Sequence, residues 1–389
     1  MGCYVSSKEN RYFAALEPAF GMVADVAASK RLPAVHLAVD QKPVRVARRD
    51  KTGSRTFVGL PASLRRQTEF ELTIYLTSWL PDQTEPSCGP LVQASLGGAP
   101  LVYNGGTLDS LSGLQLRMAA PHGLVPGQAI SCGGEIRFAA AIVDAQTILM
   151  NAPLTGGQAG GWPIDRTITY RPATELPSVS IYDFWSPAES VQRAVAGGAV
   201  NTMKISINGD FHEIRFSGQA SDVLDNVSFL AGQAGLTEFP EEPVTPEMDY
   251  SLIPGHLGQA WLGILPDQFF TLTAAEVVVD NDLDLRANEF GLEGPRCIAA
   301  GTRTVATTFS LYEKPDDATR QLYQAARLRT PIGVMFQLGQ QPSQLCGVYM
   351  KGVVPEVPRF RDEEVKLEWR FENCRAAGTV DDEIYVAFG

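Results

Sequence analysis

The sequence is poor in the residues and runs that mark catalytic, metal-binding and membrane-spanning proteins. Its four histidines (His36, His122, His212 and His256) show no HxH or HExxH spacing. Its six cysteines form no CxxC pair and none stands near a histidine at metal-ligand spacing. No run reaches the about 18 apolar residues of a membrane span, and no GxSxG, Walker or GxGxxG motif is present. We therefore predict no catalytic residue, no cofactor, no metal and no membrane insertion.

The bulk composition is that of an ordinary globular protein with several domains. With 389 residues, 44% hydrophobic and 20% charged, the chain is long enough for two or three domains. Its net charge of −12 argues against a nucleic-acid reader, which normally carries a basic face. Negative charge suits a surface past which DNA slides without binding, or only keeps the protein in solution. The first residues lack an apolar leader, so we expect buried free thiols in a reducing cytoplasm.

Two stretches far apart in the chain follow the same order of elements. Each has a turn-rich arm, a strand, a short helix, and later a long alternating strand. In the first stretch these are 45–60, 68–76, 89–96 and 201–217; in the second they are 280–300, 302–312, 318–327 and 364–374, with a further strand at 332–339. A repeat of this size indicates two copies of one domain. Two unrelated β domains with similar patterning are the alternative.

Strict alternation of apolar and polar residues identifies the two clearest strands. In 66–76, one face carries Phe70, Leu72, Ile74 and Leu76 and the other carries Glu69, Glu71, Thr73 and Tyr75. In 365–373, the inner face carries Val365, Leu367, Trp369 and Phe371 and the outer face carries Lys366, Glu368, Arg370 and Glu372. The segment 12–20 fits either a short helix or an extended arm.

The remaining segments predict an insertion and a linker. Residues 105–165 consist of short strands separated by Gly and Pro turns, and they interrupt the first copy. Residues 236–258 are rich in proline and lack periodicity, which indicates an extended linker. The predicted domains are therefore 1–104 with 166–235, the inserted 105–165, the linker 236–258, and 259–389. The predicted fold class is mainly β, with two tandem sandwich or barrel domains that each carry a short helix, and a small β-rich insertion.

Several motifs resemble those of the tail tube proteins of tailed bacteriophages. They are TGSRTFVG (52–59), RRQTEFEL (65–72), CGPLVQASLG (88–97), TITYRPAT (167–174), PSVSIYDFW (177–185), FSGQ (216–219) and RFRDEEVKLEWRF (359–371). The resemblance covers most of 40–104 and 165–225, and more faintly 260–389. The chain is about twice as long as the simplest members and adds the insertion. The resemblance implies two tail-tube-like domains of the long, two-domain type.

The function implied by this resemblance is that of a structural virion protein. It would be the major tail tube subunit, assembled in the bacterial host cytoplasm into stacked rings that form the channel for DNA delivery. Six domain positions per ring would be supplied by three chains, giving pseudo-sixfold symmetry. The implied partners are a tape measure protein in the lumen and tail terminator and distal tail proteins at the ends, while DNA passes without specific binding.

Two further expectations concern the tube surfaces. Glu69, Glu71, Glu368 and Glu372, on the polar faces of the two clearest strands, are the candidate lumen-facing residues, and an acidic lumen would repel phosphates. The insertion is expected to decorate the outside, so that deletion of 106–165 leaves assembly intact. The alternatives are another tail connector, such as a terminator or distal tail protein, or a β-rich carbohydrate-binding module.

Overall fold

The chain is mainly β, as predicted, with antiparallel sheets that form a nearly closed barrel-like arrangement. The computed structural model describes residues 4–44, 50–56, 64–79, 83–244, 250–285, 289–362 and 365–389. Much of the predicted arm at 45–60 and a part of that at 280–300 lie outside the described residues.

The first half of the chain contains a helix and sixteen strands within the described ranges. Its first elements are β1 (Asn10–Leu16), β2 (Arg31–Leu32), β3 (Ala34–Pro43), β4 (Arg66–Tyr75) and α1 (Gly89–Leu96). Then follow β5 (Leu101–Tyr103), β6 (Gly106–Ser112), β7 (Gln115–Met118), β8 (Ala129–Cys132), β9 (Glu135–Ile142), β10 (Thr147–Met150), β11 (Pro163–Ile164) and β12 (Thr167–Tyr170). The last strands are β13 (Val179–Trp185), β14 (Arg193–Ile207), β15 (Glu213–Ala220) and β16 (Asp222–Asp225).

The second half has a similar succession, but it lacks counterparts of the eight strands β5–β12, which lie between α1 and β13 in the first half. Its elements are β17 (Gly258–Gly263), β18 (Phe269–Phe270), β19 (Leu272–Asp280), β20 (Thr304–Tyr312), α2 (Asp317–Leu328), β21 (Ile332–Leu338), β22 (Cys346–Val354), β23 (Arg359–Arg361), β24 (Glu368–Ala376) and β25 (Tyr385–Phe388). We call β1–β4, α1 and β13–β16 the first unit, and β17–β25 with α2 the second unit.

The strand pairings of the two units correspond one to one. In the first unit, β3, β4, β15 and β14 pair in that order, and so do β2, β1, β13, β14 and β16. In the second unit, β19, β20, β24 and then β22 with β23 pair in that order, and so do β18, β17, β21, β22 and β25. The structural correspondence between the two units therefore begins at β1 and β17, ahead of the predicted repeat, which begins at residues 45 and 280. The division of the chain into the domains given above stays a prediction.

An ion pair recurs at the same place in both units. Arg66, at the start of β4, lies 3.3 Å from Asp222, at the start of β16. Arg303, just before β20, lies 2.7 Å from Asp381, a few residues ahead of β25. In both units an arginine at the start of one strand, β4 or β20, thus pairs with an aspartate at or shortly before the last strand.

The two units share one continuous antiparallel sheet. β14 of the first unit pairs with β19 of the second, which gives the order β3, β4, β15, β14, β19, β20, β24 and β23. We call these eight strands the long sheet. Its inner face packs on both helices in the main hydrophobic core, where Leu72, Phe216, Val277 and Phe309 meet Leu91 of α1 and Leu322 of α2. Burial of these apolar side chains is the chief stabilising contribution to the fold.

The residues between α1 and β13 form a separate small sheet. Its strands pair in the order β11, β6, β7, β10, β9 and β8, around a core that includes Leu108, Leu116, Ile130 and Ile148. We call β5 and β12, which lead into and out of the small sheet, its stem strands. They pair with each other, and β12 also pairs with β25 of the second unit. The small sheet therefore lies against the second unit, although it is inserted in the first.

Local predictions can be compared with these elements. Helices were expected at 89–96 and 318–327, and both are confirmed, with the Asp316 side chain accepting a hydrogen bond from Thr319 N at 2.8 Å as the cap of α2. Residues 10–16 are a strand, so the extended alternative for this region was correct. Val365 was wrongly placed inside: it is fully exposed. β20 ends at Tyr312, opposite Glu368, so this strand has no residue opposite Val365.

The linker crosses one end of the long sheet. Leu252 pairs with Thr77, Pro254 pairs with Phe211, and Ile253 between them is buried in the main core. The buried ring of His212 lies beside this crossing, with Nε2 3.1 Å from the Leu257 carbonyl oxygen. Burial of the ring lowers the pKa of His212, and nearby His256 adds to this effect, while the hydrogen bond to Leu257 opposes it.

This histidine gives a pH dependence to the stability. The unfolded pKa is about 6.5 and the folded pKa is lower, so the unfolded chain binds more protons. The free energy of unfolding should therefore fall as the pH falls from about 6.5 towards the folded pKa. Urea midpoints at about pH 7.5 and 5.5 should differ less for His212→Asn than for the wild type. His36→Asn, at an exposed position, is the control, and equal pH slopes for all three proteins would contradict the prediction.

Candidate functional site

The outer face of the long sheet is a regular polar surface. This face arises because alternate side chains of each strand pack on the core, while the side chains between them point away from the core. Its carboxylates are Asp40, Glu69, Glu71, Glu213, Glu276, Asp280, Glu368 and Glu372, and its cations are Lys42, Lys204, Arg215, Arg359, Arg361, Arg370 and Arg375. Acidic and basic side chains are therefore almost equally numerous on this face.

The four predicted lumen-facing glutamates lie on this one face. Glu69 and Glu71 are on β4, and Glu368 and Glu372 are on β24, with four strands between these two. Glu69 is exposed and the other three are half-buried. Whether this face lines a lumen stays a prediction, but the sheet does bring together residues that stand about 300 positions apart in the sequence.

Cations on neighbouring strands pair with most of these carboxylates. Arg215 on β15 lies 3.4 Å from Glu71. Arg370 lies 3.0 Å from Glu372, and Arg359 on β23 lies 3.2 Å from the same carboxylate. Glu368 accepts a 2.6 Å hydrogen bond from the Thr273 hydroxyl and lies 3.9 Å from Arg361. The face thus carries both acidic and basic side chains, and an acidic lumen lining stays a prediction.

The contact between the two units lies at the centre of the long sheet. Residues Thr202–Ile207 of β14 pair with Ala275–Asp280 of β19 over six successive positions. On the core face, Met203 faces Val279 and Ile205 faces Val277, and all four are buried. On the polar face, Lys204 of β14 lies 2.6 Å from Glu276 of β19. We call this contact the internal junction; its cation belongs to the first unit and its carboxylate to the second.

The long sheet ends in two strands that have one neighbour each among the described strands. At one end β3 pairs only with β4, over its whole length. At the other end β23 pairs only with β24. β3 of the first unit corresponds to β19 of the second unit. β23 continues β22, and these two strands together correspond to β14 of the first unit. The two outer edges are therefore the counterparts of the two edges that meet in the internal junction.

Both edge strands carry charged side chains on the polar face. β23 presents Arg359 and Arg361 on the polar face, with side chains 78% and 50% exposed. Between them Phe360 points to the core side, against Tyr323 and Trp369, and is 55% exposed. β3 presents Asp40 on the polar face, paired with Lys42, and the half-buried Val39 on the core face. Exposed edges of this kind are templates for pairing with another chain.

Sequence reasoning placed Arg370 on the polar face, but it missed the ion pairs that Arg215, Lys204 and Arg359 make there, and it missed β23. Arg215 and Lys204 stand on strands that the sequence did identify, but their partners depend on the pairing order of distant strands. β23 is three residues long, which is too short for an alternation signal. The one sequence signal for it was the local excess of arginine in RFR (359–361).

The described part of the chain offers no metal centre, since no group of three or more His, Cys, Asp or Glu side chains is suitably clustered there. None of the described helices is long and apolar enough to cross a membrane. Cys297 is exposed, while Cys88, Cys132, Cys346 and Cys374 are buried free thiols. In comparisons with known proteins, no family model matches the chain and no curated protein matches it significantly.

Proposed function

We propose that this chain is a structural virion protein, the major tail tube subunit of a tailed bacteriophage, which assembles into stacked rings around a channel. The observation that carries the proposal is the long sheet. It joins two units of one topology edge to edge, packs one face on the core and leaves the other face polar. This is the architecture that a wall segment of a hollow tube requires.

The dimensions of such a ring are reasonable for a channel. Three chains would contribute eight strands each to one closed sheet. At a strand spacing of about 4.8 Å, twenty-four strands give a circumference on the order of 120 Å, and hence a backbone diameter on the order of 40 Å. Tilted strands widen the barrel further, so that the lumen would admit a DNA duplex.

The mixed charge of the polar face suits transport past the wall. Carboxylates there would repel phosphates, and the cations that could bind DNA are held by neighbouring carboxylates. Such pairs weaken the binding of phosphate, because neutralising a phosphate would require an arginine to leave its partner. In this proposal Glu69, Glu71, Glu368 and Glu372 face the lumen as members of a charge-balanced surface.

Electron microscopy of the purified protein tests the proposal. We expect tubes or stacked rings, and a ring mass of about three times the 42.1 kDa of one chain. Six chains per ring would refute the three-chain version. Single closed rings that never stack would instead favour a tail connector, and monomers at all concentrations would favour a binding module.

A further inference from the structure

We propose that His212 forms a pH-dependent contact: when its neutral ring takes up a proton, the part of the linker that crosses the end of the long sheet, residues 251–257, detaches while both units stay folded. We call these residues the crossing segment. The inference goes beyond the proposed function and does not depend on it, because it concerns a contact within one chain. It assigns a regulatory role to a buried group that the polar face of the sheet does not use.

The crossing segment is attached to the first unit by few contacts. Ile253 N donates to the Leu76 carbonyl oxygen at 3.1 Å, and Gly255 N donates to the Asp210 carbonyl oxygen at 3.1 Å. Ile253 is the one buried apolar side chain of the segment, and His256 is exposed on its outer side. Few buried apolar contacts and exposed backbone hydrogen bonds are the properties of a segment that opens locally.

The His212 side chain holds the far end of the segment. Its Nε2 lies 3.1 Å from the Leu257 carbonyl oxygen, which also accepts a hydrogen bond from Gly339 N of the second unit at 3.0 Å. A carbonyl oxygen only accepts hydrogen bonds, so Nε2 carries the proton of the neutral ring and Nδ1 carries the lone pair. The contact therefore requires the neutral ring in this tautomer.

The surroundings of Nδ1 do not accommodate a second proton. The His212 side chain is 1% exposed, and its Nδ1 is buried with no hydrogen-bond partner among the described residues. Beside the ring lies a cavity of about 140 Å³, whose lining is apolar or uncharged apart from His212 and His256. Asp210 and Glu213, the carboxylates nearest in the chain, do not line this cavity. His256 is basic, so its charge opposes protonation of His212.

Protonation therefore favours the open crossing segment. In the closed state the new N–H would be buried without an acceptor, which is unfavourable, and more so for a charged ring. Once the segment moves away, the ring reaches water and titrates near its usual pKa of about 6.5. The segment is the part that moves, because β15 is paired on both sides, whereas the crossing segment is held to the first unit by two isolated pairs.

Hydrogen exchange of the full chain, measured by mass spectrometry and corrected for the intrinsic effect of pH, tests this contact. Between pH 7.5 and 5.5, opening of the crossing segment should increase several-fold, with about tenfold as the limit for an open-state pKa of about 6.5. The strands of the internal junction, β14 and β19, should keep their protection, because the opening is local. His212→Gln keeps an N–H donor and does not titrate, so its segment should open equally at both pH values.

Two further variants complete the experiment. Gly255→Ala provides the reference for an open segment, since a Cβ there would lie 2.1 Å from the Gly209 carbonyl oxygen, and it should exchange fast at both pH values. His36→Gln, at an exposed position, is the matched control and should behave like the wild type. The inference is overturned if His212→Gln responds to pH as the wild type does. It is also overturned if the internal junction opens together with the segment, because the response would then be global unfolding. Assembly is not part of the readout, so failure of the tube function leaves this result unaffected.

Discussion

Replacing Arg137 with methionine is expected to lower the free energy of unfolding by about 3–5 kcal/mol, the usual cost of breaking a buried ion pair. Arg137 is fully buried on β9, where the small sheet meets the second unit. Its burial lowers the pKa to about 10, partly opposed by the nearby Glu135 carboxylate, so that the guanidinium remains charged at neutral pH. Methionine fills much of the space but carries no charge.

The size of the effect follows from the number of groups that the guanidinium satisfies. It donates to Gln337 Oε1 at 2.8 Å and to Gln259 Oε1 at 2.8 Å, both in the second unit. It also donates to the Pro153 carbonyl oxygen at 2.8 Å and lies 3.1 Å from the Glu135 carboxylate. Methionine would remove one donor from each of these acceptors. Gln337 and Glu135 keep Ile136 N and Thr155 N as donors, whereas an acceptor that is left without any partner costs about 1–3 kcal/mol.

Chemical denaturation of the purified variant measures this loss. Arg117→Met is the control, since its arginine is exposed on the same small sheet and its loss should change stability by no more than about 0.5 kcal/mol. A second variant, Arg137→Met with Glu135→Gln, removes the unpaired carboxylate and should recover a part of the stability. If Arg137→Met and Arg117→Met were equally stable, the small sheet would not be held to the second unit by this arginine.

Much of the long sheet could be predicted from the sequence, because alternation is a local signal. The run from Phe70 to Leu76 has a period of two, and its apolar members are buried as expected. The helix predicted at 318–327 also forms, as Asp317–Leu328. Val365 shows the limit of the same signal, since alternation continues beyond the point where the partner strand stops.

The assembly surface could be predicted only in part, because it depends on pairing between distant strands. The carboxylates Glu71 and Glu372 were identified, but their partners Arg215 and Arg359 depend on which strands lie side by side. Likewise, Arg137 stands between Ile136 and Phe138, and nothing local indicates that Gln259 and Gln337, more than a hundred residues away, are among its acceptors. These contacts depend on the pairing register between distant strands, which local sequence patterns do not reveal.

The contacts of the small sheet also change the expectation for its deletion. Sequence reasoning expected that removal of 106–165 would leave assembly intact. Ile136 and Phe138 of the small sheet, however, pack against the second unit in one cluster with Trp261, Met335 and Tyr385. Phe138 stacks on Tyr349, with ring centres 5.3 Å apart. Deletion would therefore uncover a contiguous apolar patch, and patches of this kind promote aggregation.

We accordingly expect a chain without residues 105–165 to be found largely in the insoluble fraction. Tyr103 and Thr167 are direct partners of the stem strands, so joining Asn104 to Arg166 through two glycines closes a short hairpin and leaves the stem in place. Loss of solubility would then come from the uncovered patch and not from a strained connection. The measurement is the soluble yield, followed by ultracentrifugation of the soluble protein.

The deciding control is the same deletion with Trp261→Thr and Met335→Thr. Threonine suits a strand and makes the uncovered face more polar, so this variant should regain solubility and form rings, since the long sheet and both its edges are unchanged. If the simple deletion were as soluble as the full chain and assembled as well, the small sheet would be a dispensable decoration. If the polar variant were soluble yet never formed rings, the small sheet would contribute to the contact between chains. Comparison of the two deletion variants therefore distinguishes whether the small sheet only covers the second unit or also takes part in the contact between chains.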